Sequence, residues 1–179
     1  MSRLRSWSLV VLSASVFGLA GCSSSSSSPP TTTTAVPSVP AASPVPAADR
    51  SPAGTFGTEP TVTVPPGAPP TQLETADLIV GTGATAKAGD SVTVQYVLAT
   101  YSSGKVIQAS WTSQPFTFPL GAGQVIKGWD EGVVGMKVGG RRELIIPPSL
   151  GYGATAPQGA SGIAANDTLV FVVDLLKVG

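Results

Sequence analysis

The chain of 179 residues has no histidine and a single cysteine, Cys22. These shortages exclude intrachain disulfides, zinc sites built from Cys and His, and nucleophilic catalysis of the Ser–His or Cys–His kind. Charge is scarce as well: 11% of residues are charged, and the formal net charge is zero. Nucleic-acid binding needs a basic footprint. The only adjacent basic pair, Arg141-Arg142, is followed by Glu143 and reads as a solvated strand edge. A carboxylate site is the metal option left, but Asp130-Glu131 is the one adjacent acidic pair after residue 72, and neighbouring helix positions point apart. No metal and no cofactor is expected.

What is present divides into three segments. In residues 1–21, Arg3 and Arg5 precede an apolar stretch, Leu9 to Phe17, too short to span a bilayer; this is the pattern of an export signal. Leu19-Ala20-Gly21-Cys22 follows directly and resembles the bacterial lipobox. That resemblance implies a diacylglyceryl thioether on Cys22, cleavage before it, and anchoring of an extracytoplasmic protein by its acyl chains, palmitate among them. Loss of Arg3 and Arg5 would leave the mature chain slightly acidic.

Residues 22–72 read as a lipid-anchored, low-complexity linker. Ser23 to Ser28, Pro29-Pro30 and Thr31 to Thr34 are followed by recurrent proline up to Pro70. Such a segment cannot bury enough surface to offset its chain entropy and is expected to be a disordered tether. Its reach would be about 40 Å as a coil and about 150 Å extended.

Residues 73–179 are long enough for one core. Val92, Val94, Tyr96 and Leu98 alternate with Thr93, Gln95 and Val97, the period of a half-buried strand. Leu169, Phe171, Val173 and Leu175 repeat the pattern, and a strand through Leu144 and Ile146 should stop at Pro147-Pro148. Ser102-Ser103-Gly104-Lys105 reads as a turn, and Val125 to Val134 leaves room for about two helical turns. The fold class is α+β, an antiparallel sheet against one short helix. Gly81-Thr82-Gly83-Ala84-Thr85-Ala86 imitates a dinucleotide-binding fingerprint. No helix follows that could hold a pyrophosphate, so a turn is expected.

Chemistry concentrates in Gln124-Val125-Ile126-Lys127-Gly128-Trp129-Asp130-Glu131-Gly132 and Gly151-Tyr152-Gly153. An indole after an aliphatic pair, and a tyrosine between glycines, suit an apolar concave pocket with a phenol at its edge. Such a pocket fits a mostly apolar substrate carrying a carbonyl. Val94-Gln95-Tyr96, Pro115-Phe116-Thr117-Phe118, Val125 to Trp129, Ile145-Ile146-Pro147, Gly151 to Thr155 and Thr168 to Phe171 complete a set of six segments in order. From about Leu73 to Gly179 the chain resembles the FKBP-type peptidyl-prolyl cis-trans isomerases. The resemblance implies a twisted sheet of about five strands wrapped around the helix. It makes Trp129 the floor under a proline ring, and Tyr96, Ile107, Phe116, Val125, Ile126, Ile163 and Phe171 the walls. The Ile126 N–H and the Tyr152 hydroxyl would hold substrate carbonyls.

An X-Pro amide resists rotation with a barrier of about 18–20 kcal/mol because resonance keeps it planar. Twisting abolishes that resonance and lowers the charge separation. An apolar, water-poor pocket therefore favours the twisted state over the planar one, without nucleophile, base or metal. Implied partners are proline-containing segments of exported proteins, macrolide ligands and, through the anchor, a membrane, but no nucleic acid; a monomer is the default. The chain departs from the family pattern at Ile107-Gln108, where many members have Phe-Asp, and in the loop from Ala156 to Ala165. Loss of the carboxylate at Gln108 is expected to weaken macrolide binding, and the altered loop to shift the preference for the residue before proline. The departure at Ile107-Gln108 also leaves a weakly turning-over proline-peptide binder or holdase as the alternative function. A scaffold role for the outer strand face of Val170, Val172 and Leu176 is a further alternative.

Overall fold

The computed structural model describes residues 47–155 and 162–179. The expected signal segment, Cys22, the first part of the linker and residues 156–161 of the altered loop lie outside the described residues.

Six strands form one antiparallel sheet: β1 (Glu74–Ile79), β2 (Ser91–Thr100), β3 (Val106–Ala109), β4 (Phe116–Pro119), β5 (Arg141–Ile146) and β6 (Leu169–Val178), with α1 (Lys127–Gly132) as the α-helix. The order is β1-β5-β6-β2-β3, with β4 also paired to β2. Expecting about five strands counts positions across the sheet correctly but misses that two strands share the last one. β4 pairs with Ser91–Val94 and β3 with Val97–Ala99. Between them the chain leaves the sheet in a single 3-10 turn, Ser110–Thr112.

The alternation read from sequence sets the two faces. Val92, Val94, Leu98, Leu144, Ile146, Leu169, Phe171, Val173 and Leu175 bury one face in a core completed by Trp129, Val133 and Met136 of the helical segment. A six-residue helix is marginal alone and depends on this packing. Gly128 and Gly132, four apart, let it lie against β5. A Cβ at Gly128 would stand 2.4 Å from Ile146 Cγ2, and one at Gly132 2.8 Å from Leu144 Cδ2. The Gly81–Ala86 segment is a non-helical connection, as expected. Gly81 sits so close to the Lys137–Gly140 backbone that an added Cβ would meet Lys137 O at 2.4 Å.

The opposite face is buried too, and here the structure corrects the sequence reading. Arg141 is fully buried rather than solvated. Its Nε donates to Asp174 Oδ1 at 2.5 Å, its Nη2 to Asp174 Oδ2 at 2.8 Å, and its remaining donors reach the carbonyls of Ala53 and Thr58. Only Arg142 resembles an edge residue; it is partly exposed and paired with Asp77. Ser51 N–H donates to Glu143 Oε2 at 2.8 Å, Gly57 N–H to Asp174 Oδ2 at 3.0 Å, and Thr63 N–H to Ser51 Oγ at 2.9 Å. Further along, the Tyr101 hydroxyl reaches Ala68 O. Between these attachments the chain passes rows in which Val97 faces Val172 and Ala99 and Ile145 both face Val170. All five are at most 1% exposed. The part of the expected tether from Ser51 to about Ala68 is thus a strap on the sheet. Val170 and Val172 are not an open docking face.

Candidate active site

Trp129 lies at the centre of the site because α1 is pressed against β5 and turns this side chain inward, leaving it 4% exposed. Four rings surround it: Tyr96 and Phe171 edge-on with centroids at 5.2 Å, Phe118 at 5.4 Å and Phe116 at 6.1 Å. Edge-to-face pairs of this kind each add about 0.5–1.5 kcal/mol beyond area burial. The rings come from β2, β4 and β6, so the floor is fixed by three strands and the helix together.

Beside the indole opens a cavity of about 390 Å³. Its walls include Tyr96, Phe116, Val125, Ile126, Trp129, Tyr152 and Phe171, seven of the nine residues expected there. Ile107 and Ile163 are not in the lining: Ile163 is a buried core residue at 7% exposure, and Ile107 packs against the same cluster. Trp111 is not in the lining either.

Three lining residues went unassigned as walls in the sequence: Leu98, Gln108 and Gln124. Their signal lies in strand pairing. Gln108 is the partner of Leu98, whereas Val106 already pairs with Ala99, so Ile107 is an extra residue in a bulge. A bulge re-aims side chains locally, and here it brings Gln108 to the cavity wall.

Among the described residues no acid or base lines the cavity; the polar side chains there are two tyrosines and two glutamines. The Tyr96 phenol is pushed above its ordinary value, first by burial and then by the nearby Tyr152. It therefore stays a neutral donor across the physiological range. Among the described residues, the Ile126 N–H and the Tyr152 hydroxyl have no hydrogen-bond partner. Ile126 precedes the helix in extended backbone, φ −61° and ψ 147°, with its carbonyl already accepting from Trp129 N–H. Tyr152 is 38% exposed at the edge, after the Pro148–Leu150 3-10 turn. The site thus offers an aromatic floor, apolar walls and open donors, the Ile126 N–H and the Tyr152 hydroxyl among them, which is the chemistry of a receptor for an apolar peptide segment bearing carbonyls.

Comparison with known proteins agrees with this class. Residues 83–176 match the FKBP-type peptidyl-prolyl cis-trans isomerase family. The chain is 52% identical over 123 residues to an FK506-binding protein of Streptomyces anulatus, covering 67% of this chain and 97% of that one. A probable FK506-binding protein of Corynebacterium glutamicum is 43% identical over 120 residues, 66% of this chain and 98% of the relative. Among solved structures, AtFKBP13 is similar with a TM-score of 0.54 at 34% identity, over 60% of this chain and 93% of that one. FkpA from Escherichia coli gives 0.52 at 40% identity, over 59% of this chain and 47% of the other.

The chain belongs to the FKBP-type peptidyl-prolyl cis-trans isomerase family. It is an isomerase of X-Pro peptide bonds.

Proposed function

We propose that this isomerase acts on X-Pro segments of exported proteins and that the cavity over Trp129 is where it does so. The observation that carries the reading is the joint presence of a cavity with no charged side chain among its described lining residues and of unpaired donors in that lining, Ile126 N–H and Tyr152 Oη among them. A prolyl ring rests on the indole face between Tyr96 and Phe171. Ile126 N–H holds one substrate carbonyl and the Tyr152 hydroxyl another, which fixes the peptide on both sides of the bond that turns. The apolar walls strip water from the planar amide, whose charge separation is then poorly compensated. The twisted amide, less polar, loses little. Uncatalysed X-Pro isomerisation takes tens of seconds, slow enough to limit folding.

The export signal, Cys22 and the Ser/Thr/Pro-rich linker support placement outside the cytoplasm, held to a bacterial membrane by lipid on Cys22. Residues 22–50 would then be the spacer, and the folded unit would begin at the strap. Replacing Cys22 with serine is expected to move the protein from the membrane fraction to the soluble fraction and to abolish labelling by radioactive palmitate. Retention in the membrane with undiminished labelling would contradict this placement.

Gln108 bears on ligands. Relatives named for FK506 binding support macrolide affinity here, and a neutral amide at this wall should weaken it. Gln108→Asp is expected to tighten FK506 binding about tenfold in a fluorescence titration of Trp129. An unchanged affinity would remove Gln108 from the account.

A further inference from the structure

Asp130 lies outside the cavity lining, yet its carboxylate is tied to the wall. α1 turns Trp129 inward, and the next residue reaches the loop that leads into the helix. Asp130 Oδ1 accepts the N–H of Gly121 at 2.8 Å, and Oδ2 accepts the N–H of Gly123 at 2.9 Å. Both glycines have left-handed backbone, φ +77° and +69°. The loop curls around the carboxylate and offers it two amides. Immediately after Gly123 come Gln124, Val125 and Ile126, all three in the cavity wall. Ile126 O then accepts from Trp129 N–H at 2.9 Å and, at 3.3 Å, from Asp130 N–H. Loop, wall, helix and carboxylate therefore form a closed ring of bonds around one edge of the site.

We infer that Asp130 is a positioning residue, whose carboxylate sets the place of the Gln124–Ile126 wall, and so of the Ile126 N–H, relative to the Trp129 floor. The inference deepens the site reading given above and rests on it. A carboxylate suits the task because its two oxygens are both acceptors and carry no competing donor. Bonds from backbone N–H groups to an ionised oxygen are among the stronger hydrogen bonds. A displacement of the wall by about 1 Å would be felt in turnover, since productive geometry is held to fractions of an ångström. The competing explanation is a solvated helix acid that favours α1 only through its dipole.

Three variants of the full chain separate the two: Asp130→Ala, Asp130→Asn and Asp130→Glu. They are compared by isomerisation kinetics on X-Pro peptides, by peptide binding, and by amide hydrogen exchange at Gly121 and Gly123. Asp130→Ala is expected to lower kcat/KM at least tenfold, chiefly through KM, and to speed exchange at both glycines at least tenfold. Asp130→Asn, which keeps one acceptor, should fall between it and the native chain. Asp130→Glu, which keeps two, should recover to within about threefold. A kcat/KM within twofold of native in Asp130→Ala would overturn the inference and leave the site reading intact. Equal losses in all three variants, tracking thermal stability, would overturn it too. A native chain that neither binds nor turns over X-Pro peptides would overturn the site reading and the inference together.

Discussion

Trp129 and Tyr152 divide the work of the site between shape and polarity. The indole, enclosed by four rings, is both floor and core. Trp129→Ala should therefore lose turnover and also about 3–5 kcal/mol of stability, as large-to-small core changes do. Tyr152→Phe removes only an exposed hydroxyl. Its stability should stay within about 0.5 kcal/mol of native, while kcat/KM falls several-fold through one lost hydrogen bond. Denaturant titration and peptide kinetics on the same samples would show whether the two effects part in this way. Acid–base behaviour follows from the same residues. With no carboxylate or amine in the lining, kcat/KM should be flat from about pH 6 to 9. Tyr96, whose phenol is raised by burial and by Tyr152, favours the native state below the ordinary tyrosine value and withdraws that support as pH rises through its own higher value. Loss of activity and stability is thus expected only on the alkaline side. A bell centred near neutrality would point to a titrating group outside this account. At this scale the glycine-flanked indole and phenol were legible in the sequence. Gln108 and Gln124 were not legible as walls, because their direction depends on a bulge and on a loop held by Asp130.

Among elements, β2, β5 and β6 announce themselves by alternation, whereas the division between β3 and β4 has no comparable signal in four-residue strands. The outer face of β5 and β6 was misread for a physical reason. Arg141, Glu143 and Asp174 occupy the non-core positions of their strands and so look solvated, but a segment of Ser, Thr and Pro covers them. That segment attaches by backbone groups to buried charges, which leaves no hydrophobic period to detect. Breaking the pair by Arg141→Met should cost about 3–5 kcal/mol, because Asp174 would be left charged and buried. Arg141→Met with Asp174→Leu should recover most of that loss. Equal instability of the single and double variants in urea would show that the bonds to Ala53 and Thr58, rather than the ion pair, dominate. On the inner side, Gly128→Ala would drive a Cβ into Ile146. Lifting α1 to relieve the clash should cost about 1–3 kcal/mol and impair turnover by displacing Trp129.

For the whole molecule, the consequence is that the functional unit does not begin at residue 73, where composition changes. A fragment starting there would uncover Val97, Ile145, Val170 and Val172 and remove the strap's hydrogen bonds from Arg141, Glu143 and Asp174. It should be less stable than one starting at residue 47 by more than about 3 kcal/mol, roughly the burial of two aliphatic side chains. Equal denaturation midpoints for the two fragments would contradict the strap.

The central claim is that the cavity over Trp129 is where X-Pro bonds turn. Its most direct test is a protease-free isomerisation assay of the full chain that scans the residue before proline, with Trp129→Ala and Tyr152→Phe measured in parallel. The account predicts clear acceleration by the native chain, a several-fold loss in Tyr152→Phe, and a loss of at least tenfold in folded Trp129→Ala. Undiminished acceleration by folded Trp129→Ala, or none by a folded native chain on any peptide, would contradict it.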